Sequence, residues 1–330
     1  MKANTYYINL IQNRGHALIN LIEFLKQDNG LGYEKVLWVL KKNPQLNETI
    51  YKNLFADQVV NNCTMHLESL SLEKILMWNC VLMNAHSSYI CDYLVKKDAF
   101  EKLFLSSKYD EALNVCEEIR KEYGCSMWLL DAYGLINTFS NLNFDLKNIF
   151  NSSTLTYYNI FILKNRKNER QAQYVNRINH LLSDIKDPFL SYLKYKLFSE
   201  MPFNTDDMEN KWRNILLVES SHSLIDIYLA TMDCLHYYSK VLEKKKSPLF
   251  VRCIEIVSQI DSPLCQIVFS LFNNKRIKYS GDLTIFQYIK LMKEEEYDKV
   301  LSLFINSGAS EENSFSLCKY AAIAGLSDKT

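Results

Sequence analysis

Glycine is scarce in this chain. Only 8 of its 330 residues are Gly and five are Pro, against a usual glycine share of about 7%. Tight hairpins depend on residues at positive φ, normally Gly, so a sheet-rich protein of this length is not expected. Phosphate-cradling loops need glycine too, and the scattered ones present supply none. The chain has no G-x-S-x-G elbow, no H-E-x-x-H pair and no Gly-Lys-Ser/Thr loop. Net charge is also missing: 38 Lys and Arg balance 38 Asp and Glu, without the positive excess usual in nucleic-acid binders. No stretch approaches the ~18–20 apolar residues of a membrane span. The N-terminal "MKANTYYINLIQNRGHALINLIEFLK" is broken by polar residues and has no continuous apolar core of a signal peptide. The nine cysteines are an odd number, and Cys80, Cys116, Cys234, Cys253 and Cys265 sit inside apolar helical patterns. Such thiols read as small buried hydrophobes, not as a disulfide framework. Together these absences predict a soluble protein of the reducing cytoplasm, with no metal, cofactor or membrane partner.

What is present is helical periodicity, nearly end to end. The 48% hydrophobic content is ample for a large core. Apolar stripes predict helices over 5–27, 33–42, 47–61, 71–105, 109–122 and 126–140, with a short one at 142–150. The long 71–105 stretch is expected to bend or break near "NAHSS" (84–88). The run 153–164, "STLTYYNIFILK", is β-branched and aromatic and could form a strand; no obvious partner strand exists, so helix is favoured there and strand stays open. "DP" at 187–188 and "SP" at 247–248 and 262–263 each set a polar cap before a proline at the first helical position. "NTDD" (204–207) offers a cap followed by two acids. Asn, which is abundant, is available for left-handed helix ends. A soft division near 150–165 separates residues 1–150 from 151–330.

The most readable phrase is "KYDEAL" (108–113), which returns as "EYDKVL" (296–301). Around the first copy, Phe100, Leu103 and Phe104 mark one apolar face. "SSK" makes a turn, and Tyr109, Ala112, Leu113, Cys116, Ile119 and Tyr123 then fall on one helical stripe. The second copy sets Phe286, Ile289 and Met292 before its turn, and Tyr297, Val300, Leu301, Phe304 and Ile305 after it. Each copy is followed by a further apolar helix, at 126–136 and 314–326. This arrangement resembles the tetratricopeptide helical hairpin, in which a Tyr after the turn precedes an acid and then an Ala, as in Tyr109-Asp110-Glu111-Ala112. Departures from that family are equally plain. Phe100 and Tyr288 stand where it has a small Gly, Val300 replaces Ala, and no regular period of about 34 residues links the copies. Its ligand-binding positions therefore do not carry over. The resemblance implies an all-α body, an irregular right-handed superhelix of helical hairpins at about 100–123 and 283–306. It also implies that Tyr109 and Ala112 face the partner helix while Asp110 and Glu111 face water.

Sequence candidates for chemistry are few. Cys63, His66, Cys80, His86 and Cys91 could in principle surround zinc, but their spacing lacks paired knuckles and Cys80 lies in the apolar run "ILMWNCVLM"; packing explains the set. "CLH" (234–236) reads the same way. Arg177 and His180 lie one helical turn apart, a spacing that would suit an RNA-cleaving pair and that a solvated helix face also produces. Lys164, Arg166, Lys167, Arg170 and Arg177 form a basic segment, with Tyr174 among them, that could contact phosphates. Lys244–Lys246 and the basic run 273–278 are explained as cations at helix ends. The 21 tyrosines suit binding surfaces, though most are expected at core edges. These features predict a non-catalytic helical-repeat scaffold that binds another protein or peptide segment. The alternatives are a nucleic-acid binder using 164–177 and a helical nuclease using Arg177 and His180. The final helix, 314–326, has no following helix for its apolar face, so a second copy, a partner or further chain is expected to cover it.

Overall fold

The computed structural model describes residues 70–140, 208–219, 223–239 and 247–273, with Gly32 and Trp38 as isolated helical positions. Eight helices are seen among the described residues: α1 Leu72–Ala85, α2 Ser87–Leu105, α3 Tyr109–Tyr123, α4 Met127–Phe139, α5 Met208–Glu219, α6 Leu224–Ser239, α7 Pro248–Val257 and α8 Pro263–Asn273. Among these residues there is no strand, and no helix is long and apolar enough to cross a membrane. The all-α expectation holds for this part of the chain. The second hairpin at 283–306, the run 153–164 and the last helix, 314–326, lie outside the described residues.

Among the described residues, two helices form the inside. In α1 only Glu73, Lys74 and Ala85 escape full burial. In α6 only Leu229, Asp233 and Tyr237 do, spaced four apart as one outward strip. Helices buried around nearly their whole circumference are core elements, and each fully buried Leu or Ile contributes about 1.5–3 kcal/mol. α1 packs most extensively on α7 and also on α5 and α6, while α6 touches α1, α2, α4, α5 and α8. The core therefore joins α1 to helices that follow the expected division near 150–165.

Local chemistry sets the boundaries. α1 and α2 are separate helices, as the 84–88 stretch foretold: α1 stops at His86, whose N–H bonds Leu82 O at 3.1 Å. α2 ends in a Schellman turn. Lys108 N reaches Leu103 O at 2.9 Å, and Ser107 N reaches Phe104 O at 3.0 Å. The left-handed residue in that turn is Ser107, at φ 59°. It is the only non-glycine residue at positive φ among those described, so here a serine, not an asparagine, takes the role of the scarce glycine. Gly124 ends α3 at φ 70°, ψ −162°, a region that only Gly occupies comfortably. Ser247 caps α7 as predicted, accepting from Phe250 N at 3.4 Å with Pro248 behind it.

The α2–α3 hairpin matches its sequence reading. Ala112, Cys116, Ile119 and Tyr123 are buried, Tyr109 and Leu113 half-buried, and Asp110 and Glu111 exposed. Lys96 of α2 pairs with Glu122 of α3 at 2.8 Å, so the two run antiparallel. An aromatic chain fastens α4 to them. Tyr123, Tyr93, Trp128, Phe100, Phe104 and Tyr109 follow one another with ring centroids 5.4–5.9 Å apart. A second chain, Trp212, Tyr237, Tyr238, Phe250 and Phe272, ties α5 through α8 at 5.0–6.1 Å.

Candidate functional site

The residues that the sequence offered for phosphate contact, Lys164, Arg166, Lys167, Arg170 and Arg177, lie outside the described residues, as does His180. So do Cys63 and His66. The other members of that thiol and imidazole set take different places. Cys80 points into the core, His86 sits in the α1–α2 junction, and Cys91 donates to Asp261 O at 3.3 Å. Among the described residues, no group of three or more His, Cys, Asp or Glu is arranged to hold a metal ion.

The structure instead gathers polar groups inside the core, in three places. The first is a buried carboxylate. Asp226 stands in the first turn of α6, where its N–H donates to the capping Ser223 Oγ at 3.1 Å. Its carboxylate crosses to α4 and accepts from Met127 N at 2.8 Å and Trp128 N at 3.2 Å. Ser126 Oγ takes Leu129 N at 3.0 Å. The first three N–H groups of α4, which have no partner within the helix, are thus all satisfied. The anion also sits where the positive ends of two helices converge.

The second is a polar seam along α1. Asn79 Nδ2 donates to Thr231 Oγ1 of α6 at 3.0 Å, and Asn84 Nδ2 donates to Ile256 O of α7 at 2.8 Å and to Gln259 Oε1 at 3.2 Å. At the other end Ser247 Oγ donates to Glu73 Oε2 at 2.9 Å, and Arg213 Nε of α5 donates to Leu70 O at 3.0 Å. The third is sulfur. Cys80, Cys234, Cys253 and Cys265 are fully buried. Cys265 donates to Met232 Sδ at 3.7 Å.

The electrostatics keep these groups quiet. Burial pushes the Cys80 thiol well up, and the neighbouring cysteines add to that. Burial likewise raises Cys116, and it raises Cys265 to about 12. Tyr133 is raised by burial and then by its 2.5 Å bond to Glu117 Oε1, and Tyr123 is raised to about 12, chiefly by burial. Each stays protonated at neutral pH, so none of these thiols or phenols is primed as a nucleophile. His86 moves the other way: burial holds it below its usual 6.5 and favours the neutral ring.

Sequence reasoning missed Asp226 and the two asparagines. A signal for the latter existed, since Asn79 and Asn84 interrupt an otherwise apolar run. Ser223 three residues before Asp226 has the spacing of a helix start, but nothing local shows that the carboxylate serves another helix. Comparison with known proteins gives no match: no family model, no curated protein and no solved structure matches the chain.

Proposed function

We propose that the protein is a non-catalytic helical scaffold that binds another protein or a peptide segment through its exposed helix faces. The observation carrying this reading is an exposed strip along α2. Tyr89, 49% exposed, stands in the first turn of α2 at the edge of the stripe that Tyr93, Phe100 and Phe104 bury, and Val95, 71% exposed, lies on the opposite side. Tyr89, the exposed Asp92 and Val95 span an arc of about 120°. A rigid helix presenting a tyrosine and an aliphatic side chain beside a carboxylate suits an amphipathic partner segment.

For the finer architecture, the α2–α3 hairpin and its sequence counterpart at 283–306 support an irregular right-handed superhelix of tetratricopeptide-like hairpins. A second reading, a closed bundle, is favoured by the packing of α1 on α7, because stacked repeats touch mainly their sequence neighbours. Both leave the α2 face outward. The test is affinity purification of the full chain from its native cell with mass spectrometry, beside a Tyr89→Ala, Val95→Asp double variant. The reading expects a partner protein that the variant recovers at least about tenfold less, with unchanged melting. Equal recovery would sink it. Nucleic acid recovered instead, and released by added salt, would favour the 164–177 segment. RNA cleavage abolished by Arg177→Ala and His180→Ala would favour the nuclease.

A further inference from the structure

Asn79 and Asn84 interrupt the apolar run from Ile75 to Ala85, and both are buried in α1. Five residues apart, they stand about 140° apart around the helix and about 7.5 Å apart along it, so they reach different neighbours. Asn79 donates to Thr231 Oγ1 of α6 at 3.0 Å. Asn84 donates to Ile256 O in the last turn of α7 at 2.8 Å, and to Gln259 Oε1 just beyond that helix at 3.2 Å. Where α1 and α7 begin, Ser247 Oγ donates to Glu73 Oε2 at 2.9 Å. The two helices therefore run parallel, with a polar tie near each end. Every other buried residue of α1 is apolar.

We propose that Asn79 and Asn84 form a register lock, which fixes the height and rotation of α1 against α6 and α7 and so selects one packed arrangement of the core. Apolar contacts are non-directional, and rearranged hydrophobic cores lose uniqueness before they lose stability. A one-turn slip of α1, about 5.4 Å, exchanges one set of Leu, Ile and Met contacts for another of similar area. The carboxamides do not allow it. A hydrogen bond needs its atoms within about 3.2 Å and close to alignment, so the slip breaks both ties and strands two amides in the core, which is strongly disfavoured. The anchors lie on two faces of α1, so no rotation about its axis keeps both. A single buried Asn sets register in coiled coils by the same logic, at some cost in stability. Here the lock acts across 152 and 172 residues of sequence, and it makes the helices on either side of that span one arrangement.

The experiment compares the full chain with an Asn79→Leu, Asn84→Leu double variant, which keeps the branching of both side chains and removes their amides. The variant is expected to keep a helical circular-dichroism signal within about 10% of the native one and to melt no more than about 3 °C lower. What it loses is uniqueness. Its urea transition broadens, with a slope at least about a quarter smaller, and it binds at least about threefold more of a hydrophobic dye. A second variant, Asn79→Ala with Thr231→Val, removes one tie without adding bulk, and should bind dye at an intermediate level with an unchanged helical signal. A double variant that unfolds as sharply as the native chain and binds no more dye would overturn the proposal, since apolar packing alone then sets the register. If the double variant does not fold, the second decides: raised dye binding with native helix supports the lock, and unchanged dye binding overturns it. Loss of helix in both variants also overturns it, because the asparagines then supply stability and not register.

Discussion

Asp226 concentrates more consequence in one side chain than any other described residue. Its carboxylate serves α4 from α6, across 99 residues of sequence. Asp226→Ala leaves two helix N–H groups buried without that acceptor, and should cost about 2–4 kcal/mol by urea denaturation. Asp226→Asn keeps an acceptor but loses the charge at the helix ends, and should cost about half as much. His86 gives a pH signature. Its folded pKa lies below the usual 6.5, so the unfolded chain binds the proton first as pH falls. The stability it contributes is complete above about 6.5 and is lost as pH drops below that toward the folded value. Melting temperature should therefore fall more steeply from about pH 7.5 to about pH 5.5 in the native protein than in His86→Gln. Neither residue's role could be read from the sequence. A capping serine is a local pattern, whereas a carboxylate that crosses to another helix, or a ring sealed at a junction, depends on what the fold brings up from far away.

At the level of elements the sequence was far more legible. The stripe from Tyr109 to Tyr123, the break before Ser87 and the Ser247–Pro248 start each depend on neighbours within a few residues, so their geometry is written locally. The turn between α2 and α3 shows where that stops. A turn was expected at "SSK", but which residue goes left-handed is decided by the Schellman hydrogen bonds of Ser107 and Lys108. Relieving it should help: Ser107→Gly is expected to raise stability by up to about 1 kcal/mol. The opposite change at the end of α3, Gly124→Ala, forces a Cβ into a backbone region that excludes it, and should cost about 1–3 kcal/mol. Urea midpoints of the two variants should move in opposite directions. Ala112→Leu, at a completely buried position of α3, should cost about 1–3 kcal/mol through overpacking.

For the whole molecule, burial ranks the helices. Amides of α1 and α6 should exchange slowest with solvent and report global unfolding, while those along the exposed face of α3 open locally. Comparable protection in all the helices would contradict that ranking. The choice of α1 and α6 as the inner pair was half visible, since both are rich in apolar residues on more than one face, but their mutual contact and that of α1 with α7 were not, because pairing between remote helices leaves no periodic trace. The packing of α1 on helices far along the chain also sets a schedule for synthesis. α1 leaves the ribosome some 120–170 residues before α5, α6 and α7, the helices it packs on most, which at about 5–20 residues per second means roughly 6–35 s without them. The nascent chain must be shielded over that interval, so its yield in a cell depends on chaperone supply during translation as much as on the stability of the finished core.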